Sequence, residues 1–477
     1  MIFTETQEAI REAVRAFAQE QIRPRSAAFE AAGGYPPALF EELAGLGLMG
    51  MTAPESFGGA EADFVSYALA LIEIAAADGA LSTIVSIQNS LIVSSLIKDG
   101  SAEQQARFLP DLIAGRMIGA FALTETDAGS DASAIRTRAR KVEGGYVLDG
   151  AKQFITSGKI AGLTIVYAVT DPDAGKRGIT GFLVPTDSEG YSVDKVEHKL
   201  GQGASDTCAI RFDNLFVPED LRLGAEGAGY GLALSNLEVG RIGIAAQCIG
   251  MAQAALEIAV DYARERTSFG KPILEHQAVG FRLADLAAKL EAARHLVLHA
   301  ASLKDAGLPC LKEASMAKLV APETAEQVVS GAIQTLGGYG YLEEFGVAKI
   351  YRDVRVCQIY EGTSEICRLS IAKTILKRAD RGQLALREAM SGLTTPAVTA
   401  DDDSLVSLRA QVHNFKQLFL FVLGEVWAGV DDTQLLEPER QQFLGSLADI
   451  AIETYLAEST VLRVLKLTEA RPDTDRR

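Results

Sequence analysis

The amino-acid sequence predicts an α+β protein, mainly α, in which helical regions lie on both sides of a small β-domain. Apolar residues at helical spacing dominate the two ends of the chain, whereas short runs rich in Val, Ile and Phe occur within residues 119–225. After that β-rich region, four long helical patterns with short connections indicate an antiparallel four-helix bundle. A chain of 477 residues is long enough for several domains around a large buried core.

Composition and charge argue against several classes of protein. The hydrophobic content of 48% and the charged content of 23% are typical of a globular protein, and the net charge of −17 argues against nucleic acid or an acidic membrane surface as partner. Five scattered cysteines without a C-x-x-C pair predict reduced thiols and no zinc site. Because the sequence starts without a signal or transit pattern and no apolar run reaches about 20 residues, we expect a cytoplasmic, bacterial-type protein without a transmembrane segment.

Residues 1–118 are predicted to form an N-terminal all-helical domain. Apolar residues such as Ile10, Val14 and Phe17 recur at helical spacing, and proline- or glycine-containing stretches separate the segments. Helices are predicted over residues 4–31, 37–47, 64–77, 81–98 and 102–114.

Residues 119–225 are predicted to form a middle β-domain. Short β-rich runs alternate with Gly, Asp and Pro, and the pairs Gly144-Gly145 and Asp149-Gly150 are turn signals. Strands are predicted over residues 118–123, 146–148, 163–169, 181–184 and 209–212.

Residues 226–379 are predicted to form the C-terminal four-helix bundle. A linker-like stretch follows at 380–403, including residues 391–397 and three consecutive aspartates, and a helical extension occupies 404–477. We expect the last residues, from Arg471 onward, to be disordered. Bundle helices are predicted over 229–266, 275–306, 311–339 and 363–379, and extension helices over 404–428 and 438–468.

The stretch around Glu361 is the first candidate for chemistry. This isolated carboxylate lies between Tyr360 and Gly362, and Thr363 is predicted to cap the helix that follows. Apolar neighbours disfavour a charged carboxylate, which raises its pKa toward the range of a general base. An ordinary loop acid beside a helix cap is the alternative reading of the same residues.

The sequence Ile-Tyr-Glu-Gly-Thr-Ser-Glu-Ile at residues 359–366, followed by Arg368, resembles the signature near the C-terminus of FAD-dependent acyl-CoA dehydrogenases. The resemblance implies that Glu361 removes the α-proton of an acyl-CoA thioester. It also implies that its backbone N–H and a flavin ribityl hydroxyl hold the thioester oxygen. The neighbouring Tyr360 and Gly362 would then bind substrate, and Thr363 and Glu365 would contact FAD.

Two further segments resemble the flavin-binding segments of that family. Residues 121–131 leave a predicted strand into a loop of hydroxyls and backbone amides, which can bind a polar ring edge or form a strand-end turn. Residues 152–158 include an aromatic residue that could equally be a buried strand side chain. The resemblance implies that the flavin ring is contacted by Phe121, Leu123, Thr124, Phe154 and Thr156, and that Ser130 contacts cofactor or substrate. Many relatives have Trp where this chain has Phe154.

Substrate contacts are implied by two other matches. The polar loop 201–207 resembles a family loop in which the residue matching Ser205 contacts CoA. Residues 236–244 open the first bundle helix, and there Leu237 and Arg241 match substrate-side residues near the active site. A minority of relatives carry the catalytic Glu at the position of Gly240. Because this chain has glycine at that position, Glu361 is the one catalytic glutamate that the resemblance implies.

A second set of matches implies FAD binding across a subunit interface. Residues 264–273 offer an arginine fork for a phosphate and an aromatic face for a base, although cations at a helix C-terminus are also common. Residues 334–341 form a Gly-rich helix exit that is not a dinucleotide fingerprint. The resemblance implies that Arg266, Phe269 and Gln277 bind the adenine-pyrophosphate half, and that Gln334, Gly337 and Gly338 meet the pyrophosphate of FAD held mainly by the neighbouring subunit. A homodimer or homotetramer is therefore expected.

A metal site is not expected. His295 and His299 are spaced four residues apart on a predicted helix, but no acidic ligand pattern accompanies them. Solvated or core histidines are the simpler interpretation.

The resemblance implies a role in fatty acid β-oxidation. The enzyme would oxidise acyl-CoA to trans-2-enoyl-CoA, pass a hydride to flavin N5, and be reoxidised by an electron-transfer flavoprotein. Its core is most similar to short- and branched-chain members, whereas the extension resembles a shortened form of that of very-long-chain members and favours a dimer. Long-chain specificity, a flavin oxidase and a non-catalytic assembly factor on the same fold are the alternatives.

Overall fold

In the computed structural model of the chain, residues 2–393, 404–428 and 437–470 are described. The first helix begins with a capping box, in which the N–H of Gln7 donates to the Thr4 hydroxyl (3.2 Å) and the N–H of Thr4 donates to the Gln7 side chain (3.0 Å). The helical path continues to Ala32, as the sequence predicts, but a π-helical turn and a 3₁₀ turn containing Pro24 interrupt it, since proline lacks the N–H that a helix interior needs. The helices before the sheet are α1 (Glu5–Phe17), α2 (Ser26–Ala32), α3 (Pro37–Gly45), α4 (Phe64–Ala77), α5 (Gly79–Ile87), α6 (Ser94–Asp99) and α7 (Ala102–Ile113).

A mixed eight-stranded sheet follows α7. Its main path has the order β6-β7-β3-β2-β4-β5-β8, and β1 pairs in parallel with β4, with Gly119 opposite Leu163. The sequence did not predict β2 or β6, because nearly all their side chains are exposed and no apolar run marks them. The strands are β1 (Gly119–Ala122), β2 (Arg138–Val142), β3 (Gly145–Thr156), β4 (Leu163–Val169), β5 (Ile179–Pro185), β6 (Tyr191–Val196), β7 (Thr207–Pro218) and β8 (Arg222–Leu223).

Four long helices form the predicted bundle: α8 (Gly229–Glu265), α9 (Gln277–Asp305), α10 (Leu311–Leu336) and α12 (Ser364–Asp380). A two-stranded hairpin, β9 (Thr267–Ser268) and β10 (Lys271–Pro272), connects α8 to α9. The sequence analysis missed the short helix α11 (Val347–Val354) and extended α10 by three residues. The structure ends α10 at Leu336 because Gly337 adopts φ +62°, which breaks the helix.

Two buried cores organise these elements. One core combines apolar residues of α1, α4 and α5 with those of the bundle, so the N-terminal helices share their interior with α8 and α10. The other core lies between the sheet and the segment from Leu91 to Ile113. The candidate base lies in the loop before α12, beside the first of these cores.

The C-terminal helices are α13 (Leu386–Ser391), α14 (Ser404–Ala428) and α15 (Gln441–Ala470); α15 packs on α12 and α9 of the bundle, and α14 packs on α15. Arg368 of α12 links α15 to the bundle, since its guanidinium donates to Asp449 of α15 (2.7 Å) and to Glu323 of α10 (3.0 and 3.1 Å). The helix α13 lies within the predicted linker, and its Leu386 and Met390 pack against the main core. The rest of that linker, from 394 to 403, and the tail predicted to be disordered lie outside the described residues.

Two helical stretches, Gly79–Asp99 and Gly229–Glu265, have the length and hydropathy of a membrane span. In each, 83% of the apolar window is buried inside the fold, as in the core helices of globular proteins. Their apolar surface is therefore used in packing against the rest of the chain.

Candidate active site

Glu361 lies at the N-terminal side of α12, in a turn of unusual backbone conformation. Its φ is +57° and that of Gly362 is +95°, so two consecutive residues adopt positive φ. The predicted cap is confirmed, because the Thr363 hydroxyl accepts the N–H of Ile366 (3.3 Å). A glutamate at positive φ is strained by about 1–2 kcal/mol, so the surrounding contacts must hold the turn in place.

The Glu361 carboxylate has the properties expected of a general base. Its side chain is partly exposed, but Oε2 is buried and has no hydrogen-bond partner among the described residues. Burial raises the pKa of Glu361 to about 7, against the opposing charges of Arg241 and Lys318. A carboxylate with this pKa can accept a proton near neutral pH.

Gly240 on α8 provides the space for that carboxylate. A Cβ atom at this position would lie 2.9 Å from Glu361 Oε2, which is too close for non-bonded contact. Glycine at this position therefore leaves room for the Glu361 carboxylate.

Two buried cations hold the backbone of the turn. Arg241 Nε donates to the Glu361 carbonyl (3.4 Å), and Arg241 Nη1 donates to Ser315 Oγ on α10 (2.9 Å). Lys318 Nζ donates to the Gly362 carbonyl. The sequence analysis identified Arg241 but not the role of Lys318, because a lysine in an amphipathic helix carries no signal that it points inward.

Tyr360 belongs to a buried network that connects three parts of the chain. Its hydroxyl donates to Gln247 Oε1 on α8 (3.0 Å), and Gln247 Nε2 donates to Thr83 Oγ1 on α5 (2.7 Å). Thr83 Oγ1 in turn donates to Gln202 Oε1 in the loop before β7 (2.9 Å). The residue next to Glu361 is thus tied to the N-terminal helices and the middle domain, and sequence spacing could not reveal these contacts.

The two predicted flavin segments meet at the ends of β1 and β3. Lys152 Nζ donates to the Leu123 carbonyl (2.9 Å) and to Glu125 Oε1 (2.8 Å), and the N–H of Gln153 donates to the Thr124 carbonyl (2.9 Å). The buried Lys152 therefore fixes the polar edge formed by these strand ends.

Phe154 lies on that edge and is not a buried strand aromatic, so this alternative is wrong. The register between β3 and β7 shifts between Lys152 and Ile155, and Phe154 within this irregularity has φ +61° and a side chain 63% exposed. An exposed aromatic ring is available for stacking on a flat cofactor.

The remaining middle-domain residues differ in accessibility. Phe121 is partly buried with its ring 5.2 Å from that of Tyr167, and Leu123 is buried, whereas Ser130 is exposed in its loop. Ser205 is only 2% exposed, and its carbonyl accepts Lys199 Nζ (2.8 Å). Ser130 and Phe154 are therefore accessible to a ligand at the surface, whereas Ser205 is not. Thr156 is partly buried at the end of β3.

Leu237 and Glu365 lie on two helices, α8 and α12. Leu237 is one turn before Arg241 on α8 and packs against the sheet core. Glu365 is exposed in the first turn of α12, where its own backbone N–H and the Thr363 hydroxyl lower the pKa of its carboxyl. The pKa of Glu365 is therefore shifted in the opposite direction from that of Glu361.

The other predicted cofactor residues lie at the opposite end of the bundle. Arg266 follows the C-terminus of α8, Gln277 begins α9, and Gly337 follows α10, and the Tyr262 and Tyr339 rings (6.3 Å) join these helix ends. The 25 residues of α8 between Gly240 and its end span about 38 Å, at 1.5 Å per residue. Within one chain, the end of α8 that precedes Arg266 is therefore remote from the Glu361 turn.

This distant group is open to a partner molecule. Phe269 at the tip of the β9–β10 hairpin is 96% exposed, and Gln334 and Gly338 are exposed as well. A Cβ at Gly337 or Gly338 would meet no atom within 4 Å. The exposed ring of Phe269, the exposed guanidinium of Arg266 and open glycine backbone fit a flavin nucleotide.

Within the part of the chain that the structure describes, no group of three or more His, Cys, Asp or Glu residues could hold a metal ion. His295 lies 3.6 Å from Glu291, and burial lowers its pKa to about 4. His299 packs its ring against Tyr455. Both histidines are explained by helix packing.

Models of the three domains of one family match the chain. The acyl-CoA dehydrogenase N-terminal domain matches residues 4–116, the middle domain residues 120–215 and the C-terminal domain residues 227–376. The chain belongs to the acyl-CoA dehydrogenase family. It is accordingly an oxidoreductase acting on CH–CH bonds, with FAD as its cofactor.

Curated relatives share most of the chain. An acyl-CoA dehydrogenase of Bacillus subtilis is 47% identical over 376 residues, covering 79% of this chain and 99% of the relative. The mitochondrial short-chain specific acyl-CoA dehydrogenase of Homo sapiens is 42% identical over 373 residues, covering 78% and 90%. Subunit CarC of the caffeyl-CoA reductase-Etf complex of Acetobacterium woodii is 41% identical over 379 residues, covering 79% and 100%.

Solved structures give the same family. Butyryl-CoA dehydrogenase from Megasphaera elsdenii superimposes with a TM-score of 0.77 at 38% identity, covering 79% of this chain and 99% of that chain. A glutaryl-CoA dehydrogenase from Mycobacterium smegmatis in complex with FADH2 superimposes with a TM-score of 0.75 at 34% identity, covering 78% and 95%. The matched domains end at residue 376, so α14 and α15 lie beyond them.

Proposed function

We propose that the protein oxidises acyl-CoA thioesters to trans-2-enoyl-CoA, with Glu361 as the base that removes the α-proton, and that it prefers short, medium or branched acyl chains. The main support for this proposal is the Glu361 carboxylate. Its Oε2 atom is buried and has no hydrogen-bond partner among the described residues, and the pKa of the carboxyl group is about 7. The chain-length preference is supported by its similarity to short-chain specific and butyryl-CoA dehydrogenases.

Burial and the neighbouring cations have opposite effects on the protonation of Glu361. Burial favours the neutral acid and so drives capture of the proton, whereas Arg241 and Lys318 keep the resting carboxylate sufficiently ionised to accept it. The backbone contacts fix the turn, and the carboxylate itself can rotate toward the substrate. When bound, FAD supplies the acceptor for the hydride that leaves the β-carbon.

FAD would be held by residues from two copies of the chain. We propose that Phe121, Leu123, Thr124, Phe154 and Thr156, at the ends of β1 and β3, contact the flavin ring. The exposed group at the far end of the bundle would hold the adenine-pyrophosphate half of FAD in the neighbouring copy, since about 38 Å of α8 separates the helix end before Arg266 from Gly240, which faces Glu361. We therefore propose that the protein is a homodimer, which light scattering of the FAD-loaded protein tests. A monomeric FAD-loaded enzyme would contradict shared binding, and a mass of four protomers would contradict the dimer.

We further propose that an electron-transfer flavoprotein reoxidises the reduced enzyme in the cytoplasm. A relative at 41% identity is a subunit of a reductase-Etf complex, which supports an Etf-type partner. The net charge of −17 is compatible with such a partner.

Anaerobic bleaching of the bound flavin by acyl-CoAs tests the proposal. The panel runs from butyryl-CoA and branched acyl-CoAs to palmitoyl-CoA, with enoyl-CoA identified as product. We expect complete bleaching by the shorter or branched substrates. Bleaching by long chains alone would overturn the chain-length proposal, and stoichiometric peroxide formation in air would identify an oxidase. Absence of bleaching by every acyl-CoA would indicate a non-catalytic flavoprotein.

A further inference from the structure

Lys318 of α10 is a buried cation whose position needs an explanation. Its side chain is 0% exposed, and among the described residues it forms no ion pair with a carboxylate. Its hydrogen bond goes instead to the backbone carbonyl of Gly362. Burying an ammonium group without an ionic partner is costly, and burial lowers the pKa of Lys318. Because burying this charge costs folding free energy, we expect a role that requires a cationic side chain at this position.

The side chains near Lys318 do not neutralise its charge at neutral pH. Cys248, Cys357 and Cys367 lie close to it. Burial raises the pKa of Cys248 and of Cys367, so these two remain thiols. The carboxylates whose charges interact with Lys318 are that of Glu361 and, in the first turn of α12, that of Glu365.

The Lys318 hydrogen bond falls on the part of the loop that most needs support. Glu361 and Gly362 both have positive φ, and each of their carbonyls is engaged by a buried cation, Arg241 for the first and Lys318 for the second. Cys367 Sγ adds a weaker contact to the Gly362 carbonyl (3.6 Å). Without Lys318, one carbonyl of the strained turn would lose its principal donor.

The charges that act on Glu361 come from two helices. Arg241 on α8 and Lys318 on α10 are cationic, whereas Tyr67 on α4 is neutral because burial raises its pKa to about 12. Cys367 on α12 is a neutral thiol. Other titratable side chains near the turn include those of Cys248, Cys357 and Tyr360, and α12 adds the charged Glu365 and Arg368.

We propose that Lys318 is a positioning residue for the base: its ammonium group fixes the turn at Glu361 through the Gly362 carbonyl, and its charge favours the ionised carboxylate that accepts the proton. This inference rests on the proposed function of Glu361. It separates two contributions of one side chain, a hydrogen bond to the backbone and a charge near the base.

Two substitutions in the FAD-loaded enzyme distinguish these contributions. Lys318→Met removes both the charge and the donor, whereas Lys318→Gln removes the charge and retains an N–H donor. The first readout is the infrared absorption of the protonated Glu361 carboxyl as a function of pH, assigned by its loss in Glu361→Gln. The second is the pH profile of kcat/KM, which reports the base in the free enzyme. Lys377→Met, on the exposed side of α12, is the matched control.

We expect the titration midpoint of Glu361 to rise by about one pH unit or more in both variants, because an opposite charge near a carboxylate lowers its pKa by that amount. We expect kcat to fall further in Lys318→Met than in Lys318→Gln, and the control to match the wild type. An unchanged midpoint in Lys318→Gln, with only a lower thermal stability, would overturn the proposal. If Lys318→Met fails to retain FAD, Lys318→Gln and Lys318→Arg decide it, since Arg is expected to preserve the wild-type midpoint. The infrared titration needs no turnover, so failure of the wild type to bleach would refute the proposed function without deciding the role of Lys318.

Discussion

Glu361→Gln is expected to stabilise the folded protein, and only at neutral and alkaline pH. Burial raises the pKa of Glu361 from its ordinary value of 4.5 to about 7, so the folded protein binds this proton more tightly than the unfolded chain does. The stabilisation from this group is therefore fully present below pH 4.5 and is lost as the pH rises through 7. Gln resembles the protonated acid at every pH and does not incur that loss.

The size of the effect follows from the two pKa values. One pKa unit corresponds to about 1.4 kcal/mol, so the change from 4.5 to about 7 gives an upper limit of about 3 kcal/mol. Partial exposure of the side chain reduces this value toward about 2 kcal/mol. With an unfolding entropy of about 1 kcal/mol/K for a chain of 477 residues, the melting temperature would rise by about 2–3 °C at pH 8.

Thermal unfolding of the FAD-loaded wild type and variant at matched protein concentration measures the difference from pH 3 to pH 8. Glu103→Gln is the control with the opposite sign, because its own backbone N–H and the Ser101 hydroxyl lower the pKa of that exposed carboxyl at the start of α7. That control should lose stability at neutral pH and match the wild type only in acid. A Glu361→Gln variant that is equally stable or less stable than the wild type at pH 8 would refute the argument that burial disfavours the charged base.

Three further substitutions test the contacts of the site. Gly240→Ala places a Cβ 2.9 Å from the carboxylate and should lower kcat about 10- to 100-fold with FAD retained, whereas Gly231→Ala, with no atom within 4 Å, should not. Tyr360→Phe leaves the buried Gln247 acceptor unpaired, which should cost about 1–3 kcal/mol of unfolding free energy in a denaturant titration. Arg368→Ala removes the contacts between α12, α10 and α15, so limited proteolysis should cleave the extension faster while flavin reduction stays within about twofold of the wild type.

Local sequence signals predicted the parts of the site that depend on local structure. The cap at Thr363 and the placement of Glu361 just before a helix follow from neighbouring residues alone, and both are present in the structure. The long bundle helices could also be predicted from the sequence, because the apolar residues of each buried face recur at helical spacing. The roles that the resemblance assigns to individual cofactor and substrate residues remain predictions.

Long-range contacts explain what the sequence could not reveal. The inward direction of Lys318 and the links among Gln247, Thr83 and Gln202 join residues far apart in the chain, and no spacing rule connects them. Phe154 was equally compatible with a buried strand, and only the irregular pairing of β3 with β7 places it on the surface. Strand β2 was missed because its outward side chains are charged and no apolar run marks it.

The pH dependence of flavin reduction by butyryl-CoA tests the central claim most directly. In rapid-mixing experiments on the FAD-loaded enzyme under anaerobic conditions, kcat/KM for the wild type should rise with pH to a plateau with a midpoint near 7, the pKa of the free base. The Glu361→Gln variant should bind FAD and substrate but reduce the flavin at a rate lower by several orders of magnitude. Rapid reduction in that variant, or a wild-type midpoint near 4.5, would contradict the assignment of Glu361 as the base.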